Sequence, residues 1–259
     1  MGINESQTRD LIRQAKQEIP SPTEIFDLAW AQCAFTESFV RNSFCNAILR
    51  LETEAYGIFL RHQKQAVLSF SKGWIELQKP SIRRELERVV AERGWDRFVD
   101  KAAILFAEFG EMVRGLELSL GNMRKSRGGK TFEWVIVRLL DHIGVRAEMP
   151  GGEIKRQLGR VDIVVPSANV ALETPDRAIF LTCKRTLRER WKQEVPQARP
   201  NQRVYLLTID EDVSSEKAQE INQKSLIAFV RDDVATKVAF ANMRWVRPLS
   251  DLPKAVSRL

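Results

Sequence analysis

Apolar residues in the first 120 positions recur at the three- and four-residue spacing of amphipathic helices. Pro20, Pro22 and Pro80 are each followed by residues suited to a helix first turn, and Gly94 is predicted to separate two helices. The clearest apolar runs are Ile25, Leu28 and Ala29, then Ile48, Leu51, Ala55, Ile58 and Phe59, and later Ala102, Leu105, Phe106, Phe109, Met112, Val113, Leu116 and Leu120. This pattern predicts an all-helical region over residues 1–121.

The pattern of apolar positions changes at about Gly121. A basic stretch with two glycines, residues 122–130, is interpreted as a loop or arm, and a helix is predicted from about Thr131 to Ile143. Alternating strands and helices are typical of an α/β sheet with helices on its faces, so residues 122–259 are expected to form a second domain. The β-type runs cover residues 161–165, 178–182, 204–209 and 226–230, and the helical stretches cover 187–195 and 214–224.

Charge separates the same two regions. The chain has a formal net charge of +7, but residues 121–259 carry 25 Lys and Arg against 17 Asp and Glu, whereas residues 1–120 carry 16 against 17. The basic excess therefore belongs to the C-terminal region. It predicts a polyanionic partner there, either nucleic acid or an anionic membrane surface, and an idle basic surface is the plain alternative.

Several classes of protein are disfavoured by the sequence. No apolar run reaches the roughly 18–20 residues of a membrane span, and the polar N-terminus does not resemble a secretory signal, so a cytoplasmic protein is expected. The three cysteines are too scattered for a disulfide framework or a zinc site. With His62 and His142 as the two histidines of the chain, histidine-centred hydrolysis is a poor explanation, and any catalysis is expected to use carboxylates and lysine.

Two residues of the basic region suggest phosphodiester chemistry. Asp162 lies early in one apolar strand and Lys184 ends the next, so that neighbouring strands would bring them close together. A carboxylate in an apolar strand is costly unless it is paired or bound to a cation. Asp162 could hold Mg²⁺, which polarises a phosphate and lowers the pKa of a water, while Lys184 stabilises developing charge. A structural Asp–Lys ion pair at a sheet edge remains the alternative.

The stretch from Ser126 to Gln197 resembles the type II restriction endonucleases of the PD-(D/E)xK superfamily. More narrowly, it resembles the branch that includes EcoRII and NgoMIV, which recognise sites built on CCGG, CCNGG or CCWGG. The resemblance covers roughly residues 122–230 and implies a mixed central sheet flanked by helices, preceded here by the helical region. The matching pieces are residues 125–133, Val161 and Asp162, Thr182 to Lys184, and Arg188 to Trp191.

The resemblance also implies roles for individual residues. In that branch Ser or Thr replaces the carboxylate two positions before the catalytic lysine, and here this residue is Thr182. The branch places a glutamate near the metal from the helix after the arm, which corresponds to Glu133. The compensating acid of the branch aligns with Gln197, which can offer an oxygen but no charge. We favour Gln197 as the counterpart; Glu194 could take the role instead, or the site could be too poor in charge to bind metal well.

Two basic elements are candidates for DNA contact. Arginine forks fit guanine and glutamate accepts from cytosine, so Arg188, Glu189 and Arg190 could read adjacent G·C pairs, as the corresponding triplet does in the family. The alternative is a solvated helix face with local ion pairs. The second element is the arm, whose basic side chains would contact phosphates or nucleotide bases beside the half-site, or form an ordinary basic loop. These basic residues are Arg124, Lys125, Arg127 and Lys130.

The sequence thus predicts a Mg²⁺-dependent, site-specific endonuclease of double-stranded DNA without membrane association. A palindromic target implies a two-fold homodimer. Residues 1–121 are left with three roles: dimerisation, embracing flanking DNA, or regulation. Two other functions stay open, a structure-specific or repair nuclease with the same core and a non-catalytic DNA-binding protein. The uncharged Thr182 and Gln197 keep the last of these open.

Overall fold

The structure, a computed structural model, describes residues 5–92, 94–159, 161–187 and 202–257, with the backbone alone at residues 90, 97 and 125–129. The chain divides into two compact units. Unit 1 comprises Met1–Leu28 and Ala55–Ser126, and unit 2 comprises Ala29–Glu54 and Arg127–Leu259. Residues 29–54, which the sequence pattern groups with the helical region, therefore belong to the unit that contains the sheet. The predicted boundary after residue 121 stays a prediction.

Five helices precede the sheet: α1 (Glu5–Gln17), α2 (Pro22–Cys33), α3 (Glu37–Asn42), α4 (Phe44–Glu92) and α5 (Trp95–His142). The expected break near Gly94 lies between α4 and α5. Unit 1 packs its helices around an apolar interior, in which Leu11 lies against Gly73 and the rings of Trp74 and Phe109 are 4.9 Å apart. In the part of the chain that the structure describes, no helix is long and apolar enough to cross a membrane.

Two predictions about the helices are wrong. Pro80 lies inside α4 instead of starting a helix, and residues 122–130 continue α5 instead of forming a loop or arm. A proline inside a helix costs about 3 kcal/mol and each glycine about 1 kcal/mol relative to alanine. These local costs are outweighed by the buried residues on either side, such as Leu116 and Leu120 before the glycines and Phe132 and Val135 after them.

Unit 2 is built on one mixed five-stranded sheet in the order β1-β2-β3-β4-β5. Strand β1 is antiparallel to β2, and the remaining neighbours are parallel. This confirms the predicted mixed sheet flanked by helices and its four β-type runs, and β5 adds a fifth strand. The strands are β1 (Ile163–Val165), β2 (Ile179–Cys183), β3 (Arg203–Leu207), β4 (Ile227–Val230) and β5 (Val246–Pro248).

Short helices flank this sheet and complete its core. The predicted helix at 214–224 is present, and the Ser214 hydroxyl accepts from the backbone N–H of Lys217 as its N-cap. The predicted helix at 187–195 lies almost wholly outside the described residues. The flanking helices are α6 (Gly152–Gln157), α7 (Ala168–Glu173), α8 (Ser215–Gln223), α9 (Asp232–Ala235) and α10 (Leu252–Val256), with 3₁₀ turns at Pro175–Arg177, Val238–Phe240 and Leu249–Asp251.

The register of β1 against β2 positions the predicted site. Ile163 pairs with Leu181 across the antiparallel ladder, and the backbone N–H of Asp162 donates to the Leu181 carbonyl at 3.0 Å. Asp162, one residue before β1, is thereby placed beside Thr182 and Cys183 at the end of β2. Lys184 follows at once, and its N–H donates to the Leu207 carbonyl of β3 at 2.9 Å.

Candidate active site

The Asp162 side chain is buried and is held by the neighbouring strand. Its Oδ2 atom accepts from the backbone N–H of Cys183 at 2.9 Å and from the Thr182 hydroxyl at 3.3 Å. Hydrogen bonds to the ionised form stabilise a buried carboxylate. Thr182 thus helps to orient the acid beside the adjacent strand.

The other oxygen of Asp162 contacts a residue that the sequence analysis missed. The ammonium of Lys155, on α6, lies 2.9 Å from Oδ1, and about a third of the Lys155 side chain is exposed. No motif marks Lys155 in the sequence, since it lies seven residues before Asp162 in a six-residue helix that buries none of its side chains. The ion pair is formed only because α6 folds back beside the start of β1.

Glu133 lies close enough to share this electrostatic environment. Burial raises the pKa of Glu133, and the negative charge of Asp162 raises it further, while Lys155, Lys184 and Lys130 act in the opposite direction. Glu133 is on α5, whereas Asp162 and Lys184 come from the ends of β1 and β2. The structure therefore brings the predicted catalytic residues Asp162, Glu133 and Lys184 together from three elements.

Cys183 is also surrounded by these charges, but it is a structural residue. Its thiol is buried in β2, and burial raises the pKa of Cys183 well above its ordinary value, with Asp162 and Glu133 adding to the effect. A thiol held in the neutral form is a poor nucleophile and a poor metal ligand. We therefore assign Cys183 to the core, with its backbone N–H as its one contribution to the site.

The donors at the site suit a hard divalent cation. Asp162 and Glu133 offer two carboxylates of like charge, and Mg²⁺ is usually bound by one or two carboxylates together with phosphate and water oxygens. Within residues 5–92, 94–159, 161–187 and 202–257, no group of three or more His, Cys, Asp or Glu side chains could hold a metal. A cation here would take two carboxylates from the described residues and its remaining oxygen ligands from elsewhere.

Several predicted residues cannot be placed in this site. Arg188, Glu189, Arg190 and Gln197 lie outside the described residues, as does the alternative Glu194. Over residues 122–130, where the sequence predicted an arm, the backbone is helical. The side chains of Lys125 and Arg127 are not described, and Arg124 and Lys130 are exposed. Lys130 acts electrostatically on Glu133. The roles given to the triplet, to Gln197 and to the basic residues of α5 remain predictions.

The segment that leads from Lys184 toward the triplet is anchored by three contacts. The Arg185 guanidinium lies 2.8 Å from Glu52 on α4, and the Thr208 hydroxyl donates to the Arg185 carbonyl at 3.4 Å. The Leu187 N–H donates to the Asp210 carboxylate at 2.7 Å. Sequence reasoning missed all three partners, because they lie between 23 and 133 positions away from the segment they hold.

Glu52 is unusual because it is buried although ionisable. Its side chain is 5% exposed, and its Oε1 atom has no hydrogen-bond partner among the side chains and backbone that the structure describes. Burial raises the pKa of Glu52 to about 7, and the Arg185 charge offsets only part of this increase. The ion pair with Arg185 is therefore only half formed near pH 7 and is completed as the pH rises further.

A mixed sheet that brings an aspartate and a lysine together from neighbouring strands defines the restriction-endonuclease-like class of proteins. Within it, this chain belongs to the family described as EcoRII C terminal, whose model matches residues 89–250. The sequence-based resemblance to the EcoRII-like branch is thereby confirmed at the level of the family.

Individual relatives agree with the family match. The type II restriction enzyme SsoII of Shigella sonnei is 26% identical over 205 residues, which cover 73% of this chain and 66% of that enzyme. The matched part thus spans just under two thirds of the length of this curated relative.

Among solved structures, metal-depleted Ecl18kI in complex with uncleaved DNA matches with a TM-score of 0.75 at 18% identity, over 98% of this chain and 84% of that chain. The complex of restriction endonuclease PspGI with substrate DNA matches with a TM-score of 0.62 at 19% identity, over 94% of each chain. These two likenesses confirm the predicted fold.

The buried Glu52 generates a prediction about stability. Because its folded-state pKa of about 7 lies above the ordinary 4.5, the stability contributed by the bound proton is fully present below pH 4.5 and is lost as the pH rises through 7. Relative to Glu52→Gln, the unfolding free energy of the wild-type protein should fall by about 3 kcal/mol between pH 4.5 and pH 8. Urea unfolding at several pH values measures this difference.

Glu37→Gln serves as the control, since Glu37 is an exposed carboxylate that pairs with Arg41. Its unfolding free energy should follow that of the wild-type protein across the same range. Parallel curves for the wild-type protein and Glu52→Gln would contradict the assignment of a raised pKa to Glu52.

Proposed function

We propose that this protein is a type II restriction endonuclease that hydrolyses double-stranded DNA at a palindromic site with a CC/GG core, using Mg²⁺, in the cytoplasm. The core would be CCGG, CCNGG or CCWGG. The observation that carries the proposal is the juxtaposition of Asp162, Glu133 and Lys184 in a chain of the EcoRII C-terminal family.

Each residue of the site has a defined part in such a reaction. Asp162 and Glu133 are the residues that would hold the cation. A divalent cation in this setting supplies Lewis-acid polarisation of the scissile phosphate and lowers the pKa of a coordinated water. The Lys184 ammonium stabilises the negative charge that develops on the phosphate oxygens. The Thr182 hydroxyl and the Cys183 N–H keep the Asp162 carboxylate in one orientation.

Digestion of a plasmid of known sequence, with and without Mg²⁺, tests the proposed activity. Discrete fragments that appear only with Mg²⁺ support a restriction endonuclease, and mapping their ends gives the recognition sequence. A smear of fragments would support the structure-specific or repair nuclease. Intact DNA with a gel shift would support the non-catalytic DNA-binding protein.

Removing either Asp162 or Lys184 is expected to abolish cleavage. Asp162→Asn removes the charge that holds the cation, and Lys184→Met removes the charge that stabilises the reacting phosphate, so each single-turnover rate should fall by about a hundredfold or more. Asp176→Asn and Lys254→Met make the same changes at exposed positions and should cleave at the wild-type rate. Full cleavage by Asp162→Asn or Lys184→Met would refute the assignment.

Specific binding is proposed to depend on the triplet at 188–190. Arg188→Ala and Arg190→Ala should each weaken binding to the mapped site by about 1–3 kcal/mol, the cost of one lost bidentate contact with guanine. Fluorescence anisotropy with the mapped site and a scrambled duplex measures the discrimination. Arg177→Ala, at an exposed position outside the segment, is the control, and unchanged discrimination in the triplet variants would contradict the recognition role.

A homodimer follows from the palindromic target, and unit 1 offers a surface for it. Trp95, Val99 and Phe106 are 68%, 59% and 75% exposed on α5. Their spacing of four and seven residues places them on one face of the helix. A continuous apolar stripe of this kind is typical of a protein interface, and a second copy of the chain is the occupant that two-fold symmetry requires.

Charge introduced into this stripe should weaken the dimer. Phe106→Lys is expected to raise the dimer dissociation constant about tenfold or more, because the ammonium would have to be desolvated at the interface. Ile104→Lys is the matched control, since Ile104 is 51% exposed on the opposite face of the same helix. Sedimentation velocity over a range of concentrations measures both, and equal effects of the two changes would place the interface elsewhere.

A further inference from the structure

Both oxygens of Asp162 are already engaged in the structure. Oδ2 is committed to the sheet through the Cys183 N–H and the Thr182 hydroxyl, at 2.9 and 3.3 Å. These donors belong to the core and cannot move without disturbing β2. Oδ1 is therefore the oxygen left for a cation, and it is the atom that the Lys155 ammonium contacts at 2.9 Å.

Lys155 and a divalent cation at Asp162 are in conflict. Both would be positively charged and both would approach Oδ1, so their mutual repulsion opposes simultaneous binding. The Lys155 side chain is 34% exposed and has a flexible four-carbon stem, whereas that of Asp162 is 12% exposed. The lysine is thus the partner that can move away into solvent, while the aspartate stays in place.

The positive charge of Lys155 stabilises the metal-free protein. A buried carboxylate without a compensating charge is costly, and two carboxylates in one place are more so. Lys155 lies within electrostatic reach of both Asp162 and Glu133, and it acts to keep the pKa of Glu133 from rising further. The ammonium thereby stabilises the site in the absence of metal.

We propose that Lys155 is a resident counter-cation of the metal site: it occupies Asp162 Oδ1 in the metal-free protein and is displaced when a divalent cation binds. This inference rests on the proposed function, since it takes Asp162 as a metal ligand. It assigns Lys155 a positioning role that no sequence motif indicates. The Lys155 charge stabilises the folded protein without metal, and the same charge lowers the affinity of the site for the cation.

Binding of Mn²⁺ to the DNA-free protein, followed by the electron paramagnetic resonance signal of free Mn²⁺, tests the proposal. Lys155→Met should bind Mn²⁺ about tenfold more tightly than the wild-type protein, because the competing charge is gone. Lys155→Gln keeps a neutral hydrogen-bond donor for Asp162, should bind Mn²⁺ more tightly as well, and covers the case in which Lys155→Met does not fold. Arg156→Met removes the same charge from the neighbouring position of α6, where Arg156 pairs with Glu153, and should leave Mn²⁺ binding unchanged.

Thermal unfolding gives a second measurement that does not depend on cleavage. Without metal, Lys155→Met should have a lower Tm than the wild-type protein. Saturating Mn²⁺ should raise the Tm of Lys155→Met by more than it raises the Tm of the wild-type protein. A lysine with a merely structural role would lower the Tm but would not tighten Mn²⁺ binding. That result, or unchanged Mn²⁺ binding in both Lys155 variants, overturns the proposal.

Asp162→Asn separates this inference from the function on which it rests. If Asp162→Asn loses Mn²⁺ binding while the Lys155 variants bind as the wild-type protein does, the metal site is retained and the role of Lys155 is wrong. If Asp162→Asn binds Mn²⁺ as tightly as the wild-type protein, the metal site at Asp162 is wrong, and the inference is overturned with it.

Discussion

The hydrogen bonds between β2 and the Asp162 carboxylate are the interaction on which the site depends. A carboxylate at this depth needs donors, and the antiparallel pairing of β1 with β2 provides a backbone N–H and a hydroxyl at one of its oxygens. The same pairing brings Lys184 to the end of β2. Asp162 and Lys184 are therefore positioned by one strand register, and a slip of one residue would separate them.

The charges around Asp162 form a set of two carboxylates and three lysines that no single pair of residues describes. Glu133 adds a second carboxylate, and Lys155, Lys184 and Lys130 offset the negative charge. Such a set can accept a divalent cation, because bringing two like charges together is costly until a cation joins them. The lysines also offset part of the repulsion between the two carboxylates when no cation is bound. Stability without metal and binding of a cation thus make opposing demands on the same few groups.

The role of the N-terminal region is more divided than its composition suggests. Residues 29–54 belong to the unit that contains the sheet, where Glu52 of α4 contacts Arg185 directly after Lys184. Residues 55–126 form most of the other unit and expose the apolar stripe of α5. One helical sequence therefore contributes both to the support of the site and to a surface suited to assembly. Helical periodicity is the same in the two cases, so it does not separate them.

The sequence by itself determined the helical N-terminal region and the α/β region after it, and it singled out Asp162 and Lys184 as candidates, because these leave local marks: apolar periodicity, an acid at the start of one strand and a lysine ending the next. The candidate Glu133 came instead from the resemblance to a family, which the family model confirms. Only the tertiary structure decided that residues 122–130 are helical, that Lys155 pairs with Asp162, and that Glu52 holds Arg185. Helix continuation depends on the packing of flanking segments, and an ion pair depends on which elements fold side by side. Neither helix continuation nor ion-pair formation can be predicted from the spacing of residues that are neighbours in the sequence.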